Sequence, residues 1–264
     1  MQIARRTLLA AVLPVLLVAA SGCDIVTADL KAQETAEWRK TYDLAPGGRV
    51  EIRNVNGRIE VQPSAGNSVE IVALKSARAG TAEAAKEALG RIEIVDSSSA
   101  GTIKVETRLP RGGQMFRMGG TEVRYTVKVP ASANVDFSTV NGGIELIGLR
   151  GRIKTETTNG GIVARDIGGA IEATTTNGGV DVDVTRVGEE GVKLGCTNGG
   201  IKLRLPQDAK ATISASVTNG GISTDGLSLE TTESSRRRLE ARLNGGGPTI
   251  RIEGTNGGIR LASR

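Results

Sequence analysis

Val135 to Val182 reads VDFSTV-NGG-IELIGLRGR-IKTETT-NGG-IVARDIGGA-IEATTT-NGG-VDV. The tripeptide Asn-Gly-Gly recurs in one frame at Asn141, Asn159, Asn177, Asn198, Asn219 and Asn256, with steps of 18, 18, 21, 21 and 37 residues, the last about two steps long. A weaker copy, Asn56-Gly57-Arg58, lies upstream, and Asn244-Gly245-Gly246 is out of frame. A fixed period of this length is the signature of a stacked repeat architecture.

Aligned on the Asn, the apolar positions coincide. Three residues after it come Ile59, Ile144, Ile162, Val180, Ile201, Ile222 and Ile259; five after it come Val61, Leu146, Ala164, Val182, Leu203, Thr224 and Leu261. Four before it come Ile52, Phe137, Thr155, Ala173, Leu194, Ala215 and Ile252; six before it come Val50, Val135, Ile153, Ile171, Val192, Ile213 and Ile250. This is period-two alternation on both sides of a glycine corner, so each repeat predicts a half-buried strand, a sharp turn and a second half-buried strand.

Asn-Gly between alternating strands is also a hairpin signal, which would give an antiparallel meander. The polar positions favour the other arrangement. Five residues before the Asn, successive repeats carry Asp136, Lys154, Glu172 and Lys193; six after it they carry Arg165, Asp183, Arg204 and Asp225. Alternating sign is expected if equivalent residues stack rung on rung at ~4.8 Å, where a slip by one repeat would put like charges together. The expected fold is therefore all-β, a parallel β-solenoid (β-helix) with about 18–21 residues per rung and one short helix in the N-terminal part.

Composition agrees. Aromatics are 2% of 264 residues and Gly numbers 36, too few large side chains for an ordinary globular core but suited to a narrow core of stacked Ile, Val, Leu, Ala and Thr. The net charge is +5. The basic excess is diffuse apart from Arg236-Arg237-Arg238 and is not interleaved with aromatics, so no nucleic-acid partner is expected.

Arg5-Arg6 followed by the apolar run Leu8 to Ala20 reads as an export signal too short to span a membrane as an ordinary helix. Ala20-Ser21-Gly22-Cys23 resembles the bacterial lipobox, which implies cleavage before Cys23 and lipidation of its thiol. The expected organisation is a signal peptide at 1–22, a tether at 23–45 with a short helix around Lys31 to Arg39, and a solenoid at 46–264. Within it, 46–130 holds the N-terminal rungs and helix, and 131–264 the regular repeats. Thr81 to Gly90 reads as a helix with Thr81 as N-cap and Gly90 as C-cap. Strands are expected at Val69 to Ala73, Ile92 to Val95, Ile103 to Thr107 and Glu122 to Val129, with a loop at Arg111 to Gly120 carrying Met115, Phe116 and Met118. Thr231 to Leu239 interrupts the repeats and reads as a surface excursion.

Residues 46–264 resemble the putative-adhesin family of bacterial domains of unknown function. The residues that carry the resemblance are Val127-Lys128-Val129-Pro130, the Asn-Gly-Gly-Ile copies, Gly245-Gly246-Gly247-Pro248-Thr249-Ile250 and Asn256-Gly257-Gly258-Ile259. The resemblance implies a β-solenoid in the cell envelope and brings no catalytic residues with it.

The chain has no His, which removes His-dependent triads, His-ligated zinc and histidine acid–base work. No phosphate-binding loop or dinucleotide fingerprint is present. Asp181 and Asp183 point outward on one strand, roughly 7 Å apart by strand geometry. With Asp183 between Arg165 and Arg204 and Asp181 beside Lys202, they read as surface pairs rather than as an acid–base couple. A calcium-binding β-roll needs a third glycine that Gly178-Gly179-Val180-Asp181 lacks. Cys196, at a position that holds Thr139, Thr157 and Thr175 in other repeats, reads as an inward-facing small residue. The six Asn could form a ladder of stacked amides along the corner, which would read functionally as a ligand-binding stripe; the favoured reading is that each Asn caps its own turn.

The expectation is thus a non-enzymatic, lipid-anchored envelope protein, facing the periplasm or the cell surface, with no catalytic residues, metal or cofactor. The membrane is its partner through Cys23, and envelope polysaccharide or a membrane protein is the further partner such a surface would meet. A polysaccharide-active β-helix enzyme and an envelope-stress accessory protein are the alternatives.

Overall fold

The computed structural model describes residues 32–99, 101–109 and 120–264. Cys23, the signal peptide, and Met115, Phe116 and Met118 of the expected loop lie outside the described residues. In chain order the first part holds β1 (Ala32–Asp43), β2 (Arg49–Arg53), β3 (Ile59–Ser64), β4 (Ser68–Ala79), α1 (Ala82–Gly90), β5 (Glu93–Ser99), β6 (Thr102–Arg108) and β7 (Thr121–Pro130). The repeats follow as strand pairs: β8 (Asn134–Asn141) and β9 (Ile144–Ile147), β10 (Ile153–Asn159) and β11 (Ile162–Ile167), β12 (Ile171–Asn177) and β13 (Val180–Val184), β14 (Val192–Asn198) and β15 (Ile201–Leu205), β16 (Ala211–Asn219) and β17 (Ile222–Asp225). Then come the hairpin β18 (Leu229–Ser234) and β19 (Arg238–Leu243), and a last pair, β20 (Thr249–Asn256) and β21 (Ile259–Ser263).

These strands form two facing sheets. One runs β1-β4-β7-β3-β9-β11-β13-β15-β21-β17, the other β18-β19-β16-β20-β14-β12-β10-β8-β2-β6-β5. Each rung contributes one strand to each sheet, and within the stack neighbouring rungs pair in parallel, Asn on Asn: Asn141, Asn159, Asn177 and Asn198 are register partners in sequence. The antiparallel meander is excluded, and the β-solenoid stands. Its core is the set of inward columns read from the sequence; Val50, Ile52, Ile59, Phe137, Leu146, Ile162, Val182 and Leu203 are all buried. Ile222 and Thr224 depart from their columns, being half-buried and exposed, because β17 is the last strand of its sheet and nothing stacks beyond it.

Three expectations are corrected. Residues 32–43 are not a tether with a helix but a strand, β1, antiparallel to β4 over its whole length. Its inner face alternates as Ala32, Glu34, Ala36 and Trp38, half-buried, and the helix α1 packs on β1 and β4. Thr81 does cap α1, its hydroxyl accepting from the Ala84 N–H, but Gly90 is the last helical residue rather than the cap. Arg91, in right-handed helical conformation, closes the helix by donating to Ala88 and Leu89. The third concerns form only: Thr231 to Leu239 is at the surface as read, exposed through Arg238, but it is an ordered part of the β18–β19 hairpin, whose second strand pairs antiparallel with β16 and covers that end of the second sheet.

The 37-residue step has a topological cause. The rung β20–β21 does not stack beyond β16–β17; it lies between β14–β15 and β16–β17, parallel to both. The N-terminal end repeats the device. The rung β2–β3 lies between β8–β9 and a further rung formed by β6 and β7.

The asparagine corner and the paired carboxylates as candidate sites

The corner is built by three stacked columns. The first is the asparagine. Asn141 Nδ2 donates to Asn56 Oδ1 (2.7 Å), Asn159 to Asn141 (2.8 Å), Asn177 to Asn159 (2.8 Å), Asn198 to Asn177 (2.9 Å), Asn256 to Asn198 (2.8 Å) and Asn219 to Asn256 (2.9 Å). Asn56 closes the chain on the Thr121 carbonyl at 3.3 Å. The amides do not cap their own turns; they bond from rung to rung as one polarised ladder. The parallel register that puts each Asn directly above the next makes this geometry the available one. The weak upstream copy is a full member of the ladder, and the order in space is that of the rungs, with Asn256 between Asn198 and Asn219.

The second column is the first glycine of each corner. A Cβ on Gly160 would lie 2.0 Å from the Gly142 carbonyl oxygen, and one on Gly199 1.8 Å from that of Gly178. The second glycine is under no such constraint: a Cβ on Gly161 would sit 3.4 Å from the Gly179 oxygen, an ordinary contact. This explains why the upstream copy keeps Gly57 yet tolerates Arg58.

The third column points inward, two residues before each Asn. Thr139, Thr157 and Thr175 hydroxyls donate to the first-glycine carbonyls of the neighbouring rung, Gly57 (3.1 Å), Gly142 (2.8 Å) and Gly160 (2.8 Å). Cys196 does the same to Gly178 through Sγ at 3.1 Å. Cys196 is buried, 5% exposed, and burial pushes its thiol up. Threonine in this column is therefore a backbone partner, answering the first-glycine carbonyls of the corner, whereas the buried Thr155 hydroxyl two positions away has no partner.

Beside the corner, on the outer face of the first sheet, lies the carboxylate pair. Asp181, not Asp183, is held between the two arginines: Arg165 reaches it in a two-pronged contact (3.1 and 2.8 Å) and Arg204 at 3.0 Å. The cause is an irregularity between Ala164 and Ile167, where Asp166 takes φ 55° and the register with β13 shifts, turning Arg165 back toward Asp181. Burial works to raise the Asp181 pKa, but the hydrogen bond and charge of Arg165 and those of Arg204 hold it below the usual range. Asp183 lies 3.4 Å from Arg264. Among the described residues no group of three or more His, Cys, Asp or Glu side chains is placed to hold a metal ion. A shallow open groove follows the corner, floored by the second glycines Gly161, Gly179, Gly200 and Gly258 and edged by Val163, Asp181 and Lys202. No helix among the described residues is long and apolar enough to cross a membrane.

No curated protein matches the chain. Among solved structures it is similar to a putative cell adhesion protein from Clostridium sporogenes at 10% identity and TM-score 0.47, covering 87% of this chain and 100% of that one. It is also similar to a putative adhesin from Bacteroides fragilis at 9% identity and TM-score 0.40 (87% and 97% covered). A putative lipid binding protein from Parabacteroides distasonis follows at 12% identity and TM-score 0.28 (90% and 98% covered). No activity follows from likenesses this distant. The family model described as Toastrack DUF4097 is matched by residues 49–262. That span runs from the first residue of β2 into β21 and takes in every rung, both intercalated ones included, so the chain belongs to the Toastrack DUF4097 family.

Proposed function

We propose that this chain is a lipid-anchored cell-envelope protein whose solenoid is a stiff, non-enzymatic scaffold or adhesion surface. The observation that carries the reading is the uninterrupted stack. Ten hydrogen-bonded strands in one sheet span ~43 Å at ~4.8 Å per step, and a continuous amide ladder runs along its corner. Such an object has a fixed length and a repeating face, which suits presentation and contact. The carboxylates that a polysaccharide-cleaving enzyme would use are already held by arginines, Asp181 by Arg165 and Arg204.

The anchor sets the orientation. Eight residues, 24–31, separate Cys23 from the start of β1, a reach of at most ~29 Å fully extended. The N-terminal edge of the solenoid then faces the bilayer, and the β18–β19 hairpin with Arg236-Arg237-Arg238 stands at the far end.

The test is protease accessibility on intact cells, lysed cells and cells carrying Cys23→Ala, with membrane and soluble fractions assayed in parallel. Release of the Cys23→Ala protein into the soluble fraction is expected; retention in the membrane would remove the lipid anchor from the reading. Cleavage on intact cells would support contact with neighbouring surfaces. Protection until lysis would direct the scaffold toward cell-wall or membrane-protein partners inside the envelope.

A further inference from the structure

The sign alternation that stabilises the register holds only where rungs stack in chain order. From β8–β9 to β14–β15, charged register partners are opposite: Asp136 with Lys154, Lys154 with Glu172, Glu172 with Lys193, Asp181 with Lys202, Asp183 with Arg204. Among the parallel strand pairs of the described residues, like charges become partners at four places, all on the inner side of an intercalated rung. At the N-terminal end Glu51 meets Asp136 and Glu60 meets Glu145. At the C-terminal end Lys193 meets Arg251 and Lys202 meets Arg260. The central stack is thus joined to its two end modules across one acidic seam, which Arg53 bridges to Asp136 at 2.7 Å, and one basic seam. Like charges directly opposite one another in a sheet are destabilising.

The basic seam has a second property. The two rungs flanking the inserted β20–β21 are matched to each other as well as to the insert. Val192 and Ile213, Leu194 and Ala215, and Asn198 and Asn219 are all partners of the same inserted residues, Ile250, Ile252 and Asn256. Closing the slot would bring Arg204 beside Asp225 in place of Ala262, exchanging the bond that the insert's Arg260 makes to Asp225 (3.0 Å), and Lys193 and Lys202 beside Ser214 and Ser223 in place of Arg251 and Arg260. The spacing from Asn198 to Asn219, 21 residues, is that of the preceding chain-order step. The segment leading into the insert, Asn244-Gly245-Gly246-Gly247-Pro248, has three successive residues at φ 49°, 82° and 90°, a glycine-rich link between the hairpin and the last rung.

We propose that the rung β20–β21 is an exchangeable insert, and that its alternative acceptor is the equivalent slot of a second copy of this chain. A reciprocal exchange recreates every contact of the slot, so it costs little at equilibrium. The like-charged seam and the flanking rungs' fit to each other make β14/β20 and β15/β21 the place where the stack parts. Salt screens the seam, with a Debye length of ~10 Å at 0.1 M, so exchange slows as ionic strength rises, while the oppositely charged central rungs weaken.

Register partners give the test. In the full chain with Cys23→Ala and Cys196→Thr, one preparation carries Gly195→Cys and the other Glu253→Cys; these two positions are partners across the seam. The two are mixed, oxidised and run on a non-reducing gel. The expected result is a disulfide-linked dimer joining the two variants, several-fold more abundant at low salt than at high salt, and reduced when Arg251→Ser and Lys202→Ser remove the like charges while Arg260 keeps its bond to Asp225. A parallel mixture of Glu156→Cys and Thr174→Cys, partners inside the central stack, is expected to stay monomeric. A single chain carrying both Gly195→Cys and Glu253→Cys reports whether the pair can react at all. If that chain closes its internal disulfide while the mixture gives no dimer, the rung does not exchange and the proposal is overturned. If the central pair forms dimer equally, the association is unspecific and the proposal falls as well. Failure of the internal disulfide would overturn the intercalated position on which the proposal rests.

Discussion

At the scale of single residues the corner is decided by what a Cβ would strike. Gly160→Ala would drive a methyl group to 2.0 Å from the Gly142 oxygen, a backbone atom held by the rung below. The rungs must separate locally, and a loss of ~3 kcal/mol, the upper end of ordinary overpacking, is expected. Gly161→Ala meets only an ordinary contact, 3.4 Å from the Gly179 oxygen, and should cost under ~1 kcal/mol. Denaturant midpoints of the two variants check the difference, and equal effects would mean that glycine is needed for its backbone freedom rather than for the close approach. Cys196→Thr makes the converse case. Its Sγ already donates to Gly178, and the equivalent column positions on other rungs, Thr139, Thr157 and Thr175, hold threonine. The threonine hydroxyl should take over the bond, as at Thr157 and Thr175, with thermal stability unchanged or raised by up to ~1 kcal/mol. The inward side of Cys196 was legible from its column. The ladder was legible only as the less favoured reading, because one repeat taken alone offers each Asn its own turn as a partner. Only the stacking distance and the exact parallel register put the next amide within reach.

At the scale of elements the repeat pattern carries the core. Ile162 is fully buried in β11, and Ile162→Asp would place a charge with no partner among stacked aliphatic side chains. A loss of more than ~4 kcal/mol is expected, seen as collapse of the β-sheet signal in circular dichroism. Asp183→Asn on the outer face should leave the fold intact, since its contact is a 3.4 Å approach to Arg264. Tolerance of Ile162→Asp would break the inward assignment of the whole column. The elements that escaped the sequence reading are those whose partners are non-repetitive. β1 is polar enough to pass for a tether because on its inner face only Tyr42 is buried in the core, with Ala36 and Trp38 packing partly against it. Its period of two is visible once β4 is known to lie beside it. The insertion of β20–β21 hides for a related reason: Asn256 fits the ladder equally well on Asn198 and on the far side of Asn219. The columns define which residues stack, whereas the order of stacking depends on how the β18–β19 hairpin returns the chain.

At the scale of the whole molecule, the response to pH follows from which groups the fold perturbs. Asp181 and Asp136 are pushed up by burial but carried below the usual carboxylate range by Arg165 with Arg204 and by Arg53. Glu172 and Asp96 are lowered first by hydrogen bonds from Lys193 and Lys40, against the opposing effect of burial. A carboxylate whose folded pKa lies below its unfolded value stabilises fully above that value, about 4, and loses its contribution as pH falls through the folded one. With no His in the chain, nothing of the histidine type titrates between pH 5 and 8. At the alkaline side the causes are the buried Cys196 thiol and the phenols. Burial pushes Tyr125 up to about 12, opposed in part by its hydrogen bond with Thr107. Its unfolded value is about 10, so the unfolded chain releases the proton first and stability declines as pH rises from ~10 to ~12. The melting temperature should therefore be flat from pH 5 to 8, fall below pH 4, and fall on the alkaline side, first as the thiol of Cys196 ionises in the unfolded chain above ~8.5 and further above pH 10. The phenol limb should shrink in Tyr125→Phe if the loss of the Thr107 contact is compensated in the reference state at pH 7. A slope in the neutral range would require a titrating group that the described residues do not contain. A phenol limb unchanged in Tyr125→Phe would move its cause to Tyr42, which burial and the Asp96 carboxylate also push upward.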